Sequence, residues 1–460
     1  MIERKYIVIH QYKMNGMNLV IDVNSGAIHL FDECSYEFIE LLNQKYSEDE
    51  VIEQLKTKYP EADLIEVKNE IQVLVEQKVL FTEDEYAQVV ESFGQRETVV
   101  KALCLHVAHD CNLACQYCFA EEGEYHGDRS IMPLDIAKKS IDFLIKHSGQ
   151  RKNLEVDFFG GEPLMNFDVV KETVFYAKGL EAEHNKKFRF TITTNGVLLD
   201  QDKMDFINEH MYNVVLSCDG RKEVHDYMRP ASNKKGSYDL IMPKFKELIK
   251  QRGDKSYYIR GTFTHHNLDF AEDVLHMARE GFDQISVEPV VAPLDEAYAI
   301  QKEDIPQLLK EYEHLAQKMM EYKEQGTTFN FFHFMIDLTG GPCVAKRLTG
   351  CGAGFEYMAV TPQGDLYPCH QFVGMEQFKM GDLDTGVENL SMQQEFKGCN
   401  VYSKKACQSC WAKFYCSGGC SANAYNFQGS ITEAYEMGCD LEKKRVECAI
   451  YMRACELVAK

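Results

Sequence analysis

Between residues 101 and 290 the chain alternates between short strand-like runs and longer amphipathic segments, and this alternation limits the fold more than any other feature. Strands that alternate with helices predict a parallel sheet built from βα units, and six such units form an open barrel. The predicted strands cover 101–109, 154–159, 188–194, 213–218, 257–263 and 283–288. We therefore expect an α/β protein with a partial (β/α)6 barrel at its centre.

Residues that can carry chemistry follow directly after these strands. A loop with three cysteines follows the first strand, and the segments after the later strands are GGEP (160–163), TTNG (193–196), SCDG (217–220), THHN (264–267) and EPVV (288–291). In parallel α/β folds the active site lies at the carboxyl ends of the strands. We therefore expect these segments to meet in one site.

The loop after the first strand holds Cys111, Cys115 and Cys118 in the pattern C-x3-C-x2-C. In a reducing compartment, clustered cysteines indicate metal ligands or catalysts rather than disulfides. Zinc sites and ordinary iron–sulfur clusters take four ligands, so this loop lacks one. One alternative is a zinc or four-cysteine site with a distant fourth ligand. The other is a four-iron cluster with one iron left open for another molecule.

A second set of cysteines lies near the carboxyl terminus. The segment 351–369 has a cysteine at each end and Gly364 five residues before the last one, and 407–420 has the pattern C-x2-C-x5-C-x3-C. The set comprises Cys351, Cys369, Cys407, Cys410, Cys416, Cys420 and Cys439. Two structural zinc sites are the alternative to iron–sulfur clusters, because zinc knuckles also use C-x2-C. The isolated Cys34, Cys104, Cys218, Cys448 and Cys455 are expected in hydrophobic cores.

Charge and hydropathy exclude several classes of function. The net charge of −22 argues against a nucleic-acid-binding protein, which needs a basic surface. No apolar run is long enough to cross a membrane, and the start of the chain lacks the zones of a signal peptide, so we expect a cytoplasmic protein. Residues 1–91 hold 19 acidic and 8 basic residues, which gives −11. This excess is either a solubilising surface or a docking face for a basic partner.

The chain divides into five predicted parts. At the amino terminus, turn signals at 15–16 and 25–26 separate short strands, and helices are predicted at 34–45, 48–58 and 63–78, with a short apolar wing at 79–81. This layout is typical of a winged-helix-like module. The predicted boundaries are 1–90 for this module, 91–100 for a linker, 101–300 for the barrel, 301–342 for a helical bridge and 343–460 for the cysteine-rich domain.

The three-cysteine loop on a predicted βα barrel resembles the radical S-adenosylmethionine (radical SAM) superfamily. The resemblance implies that S-adenosylmethionine itself occupies the open iron of a [4Fe–4S] cluster held by the three cysteines. It also implies cofactor contacts from the motif residues at the strand ends: the adenine near Tyr117 and Phe119, the methionine near the glycine-rich Gly160, Gly161 and Glu162, and the ribose and carboxylate near Asn195, Ser217 and Arg229.

The second cysteine set resembles the SPASM extension of peptide-modifying radical enzymes, in which seven cysteines hold two auxiliary [4Fe–4S] clusters. The resemblance implies three clusters in all. It assigns Cys407, Cys410, Cys416 and Cys439 to an outer cluster and Cys351, Cys369 and Cys420 to an inner one. Cys343 is either a fourth ligand of the inner cluster or a bystander beside an open iron that binds a substrate thiolate.

The amino-terminal layout resembles a PqqD-like module that binds the leader of a precursor peptide as an added strand. The three parts together resemble the maturases of the six-cysteine SCIFF peptides, which form thioether bonds. This resemblance implies a Cys-rich peptide with a basic leader as substrate, an electron donor such as a flavodoxin or ferredoxin, and an anaerobic organism. The alternatives are an enzyme like the anaerobic sulfatase maturases and, more remotely, a zinc-binding adaptor.

Overall fold

The computed structural model describes residues 7–88, 90–336 and 344–458. The chain begins with a three-stranded antiparallel sheet in the order β1-β2-β3, followed by three helices. These elements are β1 (Ile9–Met14), β2 (Met17–Asp22), β3 (Ile28–Phe31), α1 (Glu33–Asn43), α2 (Glu48–Leu55) and α3 (Glu61–Glu76). Both turns fall at the predicted positions, since Asn15 and Gly16 have φ of 47° and 82°, the left-handed values that a tight hairpin requires.

Local sequence explains where the amino-terminal helices begin. The side chain of Asp32 accepts a hydrogen bond from the Ser35 amide, and Ser47 and Glu50 form a reciprocal capping box. The predicted wing at 79–81 forms no strand; Leu80 is instead fully buried in the core of this module. A short helix, α4 (Val90–Gly94), leads to the next part of the chain.

The central part is a parallel α/β half-barrel, as the alternation predicts. Its main strands run in the order β4-β6-β7-β8-β9-β10, all parallel, and β11 extends the sheet beyond β10. The strands are β4 (Ala102–His109), β5 (Ser130–Ile131), β6 (Asn153–Gly160), β7 (Lys187–Thr194), β8 (Asn213–Ser217), β9 (Tyr257–Phe263), β10 (Gln284–Pro289) and β11 (Asn330–Phe331). The helices are α5 (Leu134–His147), α6 (Phe167–His184), α7 (Gln201–His210), α8 (Lys222–Met228), α9 (Tyr238–Arg252), α10 (Phe270–Arg279) and α11 (Ile305–Glu324).

The predicted helical bridge is only partly helical, because α11 ends at Glu324 and β11 follows it. The chain turns at Gln325 and Gly326, where Gly326 has a φ of 81°, so that Asn330 pairs with Gln284 and Phe331 with Ile285. The aromatic Phe331 is fully buried there, so packing against the sheet outweighs continuation of the helix.

The cysteine-rich domain shares the barrel's sheet. Its first strand, β12, pairs in parallel with β4, and β13 to β15 continue the sheet in antiparallel fashion. The elements are α12 (Val344–Thr349), β12 (Tyr357–Val360), β13 (Asp365–Tyr367), β14 (Gly381–Asp382), β15 (Gly386–Val387), α13 (Leu390–Gly398), α14 (Lys405–Gln408), α15 (Lys413–Cys416), α16 (Ser421–Gln428) and α17 (Glu436–Val458). This pairing brings the second cysteine set beside the strand that precedes the first set.

The five isolated cysteines differ in how deeply they are buried. Cys104, Cys218 and Cys448 are buried, whereas Cys34 and Cys455 are partly exposed. The largest core lies between the sheet and the barrel helices and continues onto α17. Among the described residues, no helix has the length and apolar content needed to cross a bilayer.

Candidate active site and cluster sites

The three cysteines of the first set lie on the loop after β4 and border a single cavity of about 340 Å³. The loop is closed by a hydrogen bond from the Cys118 amide to the Cys115 carbonyl at 3.1 Å. Burial raises the pKa of the thiols of Cys111 and Cys115 to about 12. These thiols therefore need a bound cation to ionise at neutral pH, and metal ligation supplies one.

The glycine-rich segment after β6 packs directly against the cysteine loop. A Cβ added to Gly160 would lie 2.3 Å from the Ala108 carbonyl oxygen, and one added to Gly161 would lie 2.2 Å from the Asp110 oxygen. Gly160 also has a φ of 120°, which other residues rarely adopt. Both glycines line the cavity. Because neither has a side chain, their backbone can lie directly against the backbone of the cysteine loop.

Glu162 is fully buried behind this wall. Its carboxylate accepts hydrogen bonds from Thr194 Oγ1 and the Asn195 amide, both at 2.8 Å, and from the Leu164 amide at 3.0 Å. Burial raises its pKa to about 7. Glu162 is not among the residues that border the cavity. Its contacts tie the loop after β6 to the loop after β7.

Two of the predicted cofactor residues, Tyr117 and Arg229, are held by Asp219. The Tyr117 hydroxyl donates to the carboxylate at 2.7 Å, and Arg229 Nε donates to both oxygens at 3.0 Å. The Arg229 guanidinium also lies over the Tyr117 ring, 5.3 Å from its centre. Asp219, the third residue of the SCDG segment, is fully buried. It holds the side chains of Tyr117 and Arg229, which border the cavity.

The other predicted cofactor residues also border the cavity. Asn195 donates from Nδ2 to Asn112 Oδ1 at 2.8 Å, and the same nitrogen lies 3.7 Å from Cys111 Sγ. Ser217 ends β8 and faces the same space. Phe119 is half exposed, and its ring lies 5.8 Å from the ring of His370. Of the eight residues predicted to contact the cofactor, all but Glu162 therefore share one cavity.

The structure adds cavity residues outside the sequence motifs, among them Arg260 on β9. Glu288, the first residue of the EPVV segment, comes from β10, and the cysteine-rich domain contributes a facing group of His370, Gln371, Asn423 and Asn426. Burial lowers the pKa of His370 to about 4, so its imidazole is neutral at physiological pH. Two features of the sequence could have indicated these residues. Arg260 is a charged residue inside an apolar predicted strand, and polar residues follow shortly after Cys369 and Cys420 in the chain.

The three cysteines assigned to the inner cluster come together beside this cavity. Burial raises the pKa of Cys369 far above its ordinary value, and the nearby thiols of Cys420 and Cys351 raise it further. Cys369 ends the turn after β13, and Cys420 precedes α16. Cys343, the residue whose ligand role the sequence left open, lies outside the described residues.

The four cysteines assigned to the outer cluster border a separate cavity of about 480 Å³, and they are Cys407, Cys410, Cys416 and Cys439. The first three lie on α14, α15 and the turn between them, and the last is on α17. Within the part of the chain that the structure describes, no three Cys, His, Asp or Glu side chains converge tightly enough to ligate one ion.

The amino-terminal module packs against the outer cysteine site. Its His10 ring stacks on Trp411, with centroids 3.7 Å apart and planes at 2°. Asp84, near the end of this module, forms an ion pair with Lys413 at 2.7 Å, and both side chains are almost completely buried. Trp411 and Lys413 lie between Cys410 and Cys416. The first part of the chain therefore supports the segment that carries the outer thiols.

Comparison with known protein families gives two matches. Residues 105–278 match the radical SAM superfamily, and residues 351–411 match the SPASM iron–sulfur cluster-binding domain. The matched ranges contain the first cysteine set and the beginning of the second set.

Individual relatives are distant in sequence and similar in fold. A cysteine-type anaerobic sulfatase-maturating enzyme of Clostridium novyi is 25% identical over 336 residues, 68% of this chain and 86% of its own. The structure of anSMEcpe with bound AdoMet matches 78% of this chain and all of that one, at 20% identity and a TM-score of 0.65. Streptococcus suis SuiB bound to its precursor peptide SuiA matches 93% of this chain and 98% of that one, at 16% identity and a TM-score of 0.53.

Proposed function

This chain carries a radical SAM domain and a SPASM domain, and from that premise we propose that it is a peptide maturase that joins a cysteine sulfur to a carbon of another residue in a Cys-rich precursor peptide. The observation that carries the proposal is the shared cavity. It is bordered by the three thiols of the first set, by the predicted cofactor residues and, on the facing wall, by residues next to the inner cysteines.

The first site fits a [4Fe–4S] cluster and S-adenosylmethionine. Cys111, Cys115 and Cys118 would hold three irons, and Arg229 and Asn195 would bind the carboxylate and ribose, with Asp219 fixing the direction of Arg229. When bound, these groups supply a 5′-deoxyadenosyl radical that removes hydrogen from a substrate carbon. The protein's part is to orient the cofactor and to keep water away from the cavity.

The inner and outer sites would hold two further [4Fe–4S] clusters, for three in all. The inner set has three thiols beside the cavity, an arrangement that leaves an iron for the thiolate of a substrate cysteine. The outer set has four thiols and would hold a fully ligated cluster through which the surplus electron of the reaction would leave, whereas a flavodoxin or ferredoxin would be the electron donor for the first cluster. The general base for the substrate thiol stays unassigned.

The amino-terminal module would bind the leader of the precursor. Both edge strands, β1 and β3, pair only with β2 in the described sheet, but β1 lies beside α17, since the Tyr12 hydroxyl donates to the Glu447 carbonyl at 2.9 Å. The edge of β3 can therefore accept a peptide as an additional strand. Leu30 on β3 is half exposed and offers an apolar contact, and the acid excess of residues 1–91 favours a basic leader.

The second candidate is the oxidation of a single residue, as in the sulfatase-maturating relative. The extent of the fold matches favours the peptide maturase. The match to anSMEcpe covers 78% of this chain and the match to SuiB covers 93%, and SuiB was solved with a precursor peptide. A leader-binding module is useful to an enzyme that recognises a precursor and has no evident use on a folded sulfatase.

The proposal is tested with anaerobically reconstituted protein, S-adenosylmethionine, a reductant and a short Cys-rich peptide, to be sought among the reading frames that neighbour the gene. We expect 5′-deoxyadenosine together with a peptide that has lost two hydrogens and has one cysteine protected from alkylation. Tandem mass spectrometry locates the new bond. A peptide in which a single residue gains a carbonyl group, with no new bond between two residues, would favour the sulfatase-maturase alternative. An unchanged peptide would refute the proposed substrate class.

A further inference from the structure

Arg260 and Glu288 form an ion pair that faces the cavity from neighbouring strands. Arg260 Nη2 lies 2.9 Å from Glu288 Oε2, and both side chains are partly exposed to that space. Neither residue contacts Asp219, Tyr117 or Arg229 in the described hydrogen bonds, so the pair is separate from the group that orients the predicted cofactor.

The pair is held as a charged unit. Burial by itself would raise the pKa of Glu288, but Arg260 above all, and Arg445 with it, stabilise its negative charge and lower the pKa to about 2. His333 Nε2 lies 4.0 Å from Glu288 Oε1 and 3.4 Å from Ser286 Oγ, behind the pair. The carboxylate is therefore ionised throughout the neutral range and remains an acceptor of hydrogen bonds.

The facing wall presents neutral amide groups. Gln371, Asn423 and Asn426 border the same cavity. Asn423 Oδ1 is buried and has no hydrogen-bond partner among the described residues. A buried acceptor without a partner costs free energy, so it is suited to a donor that arrives with a ligand.

We propose that Arg260 and Glu288, together with Asn423 on the facing wall, bind the main chain of the substrate peptide beside the residue to be modified. The inference rests on the proposed function and names the binding site for its substrate. A peptide unit carries one N–H donor and one carbonyl acceptor, which match a carboxylate and a guanidinium on adjacent strands. Asn423 Oδ1 would accept a further N–H.

Recognition of the main chain has a consequence for specificity. The charges of Arg260 and Glu288 cancel and the amides of the facing wall are neutral. The site therefore has no net charge that would favour substrate side chains of one sign. Substrate residues next to the modified position are therefore expected to be exchangeable, whereas a proline that removes the N–H donor should impair processing.

The test compares wild type with Glu288→Gln, Arg260→Met and Asn423→Leu, using the same short Cys-rich peptide as in the test of the proposed function. The measured quantities are KM for the peptide and the coupling ratio, defined as modified peptide formed per 5′-deoxyadenosine. Loss of a hydrogen bond to a charged group should raise KM roughly tenfold or more for Glu288→Gln and Arg260→Met. All three variants should also lower the coupling ratio, because a weakly bound peptide is less often in position when the radical forms.

Glu280→Gln is the matched control, since Glu280 forms an ion pair with Lys246 and neither residue borders the cavity. Iron content and the melting temperature of each variant show whether it is folded. Wild-type KM and coupling in all three folded variants would overturn this inference while leaving the proposed function intact. A wild-type enzyme that does not modify the peptide would instead overturn the proposed function.

Discussion

The first cysteine site and the outer cysteine site use the same ligand chemistry but are built in different ways. The first takes its thiols from eight consecutive residues, 111–118, and borders a cavity lined by the ends of several barrel strands and by the cysteine-rich domain. The outer takes its thiols from 407–439, and its wall is supported by the amino-terminal module through Trp411 and Lys413.

The two sites differ in what surrounds the thiols, which is a cavity at the first site and packing from the amino-terminal module at the outer site. At the first site, Gly160 and Gly161 hold the cysteine loop from behind, so the thiols face open space that substrates can enter. At the outer site, a buried ion pair and a stacked aromatic pair fix the segment between two of the thiols. We therefore expect damage to the first site to abolish catalysis, and damage to the support of the outer site to lower stability and iron content.

The largest expected effect comes from replacing all three thiols of the first site. The variant with Cys111→Ala, Cys115→Ala and Cys118→Ala should form no 5′-deoxyadenosine, because no iron remains to bind the cofactor. Its iron content should fall by one cluster, since each cluster is held by its own set of thiols. Iron analysis and chromatography of the reaction products measure both effects. Continued production of 5′-deoxyadenosine would show that these cysteines are not the cluster ligands.

Removal of the buried charge under the outer site should have the next largest effect. Asp84→Asn leaves the Lys413 ammonium buried without its counter-charge, which typically costs about 3–5 kcal/mol of unfolding free energy. Denaturant unfolding of the anaerobic protein measures this loss, and iron analysis should show partial loss of the outer cluster. Asp384→Asn, which breaks the exposed pair with Lys139, is the matched control and should change stability little. Equal stabilities of the two variants would contradict the supporting role of Asp84.

A smaller effect is expected from salt on the amino-terminal module. If its acid excess of −11 attracts a basic leader, binding of the full precursor should weaken as ionic strength rises, because salt screens exposed charges. Fluorescence anisotropy of a labelled precursor across a salt series measures the dependence. Affinity that does not change with salt would remove the charge argument while leaving the strand-addition proposal at β3.

The sequence predicted the parts of the fold that depend on local pattern. All six barrel strands lie within a residue or two of their predicted positions, because alternation of apolar runs and amphipathic segments is a local signal. Four of the five motif segments then meet in one cavity because parallel strands end at one edge. No residue of THHN (264–267) borders that cavity; Thr264 and Asn267 instead form a capping box with each other. Of the eight predicted cofactor residues only Glu162 lies outside the cavity lining, and its neighbours in GGEP did not indicate that its carboxylate would bond to Thr194.

The features that the sequence did not predict depend on residues far apart in the chain. The stacking of His10 on Trp411 and the pair of Asp84 with Lys413 each join segments more than 300 residues apart, and neither has a periodic pattern. The pairing of β12 with β4 is of the same kind. The sequence therefore predicted that the first 90 residues form a separate module, whereas in the structure they pack against the segment that carries the outer thiols.

The most direct test of the account is the metal content of the protein purified without oxygen, measured together with its reaction on S-adenosylmethionine. We predict iron and acid-labile sulfide in equal amounts, at a level that fits three four-iron clusters, and 5′-deoxyadenosine after reduction. Zinc without sulfide, and no cleavage of S-adenosylmethionine, would contradict the account and favour a zinc-binding adaptor.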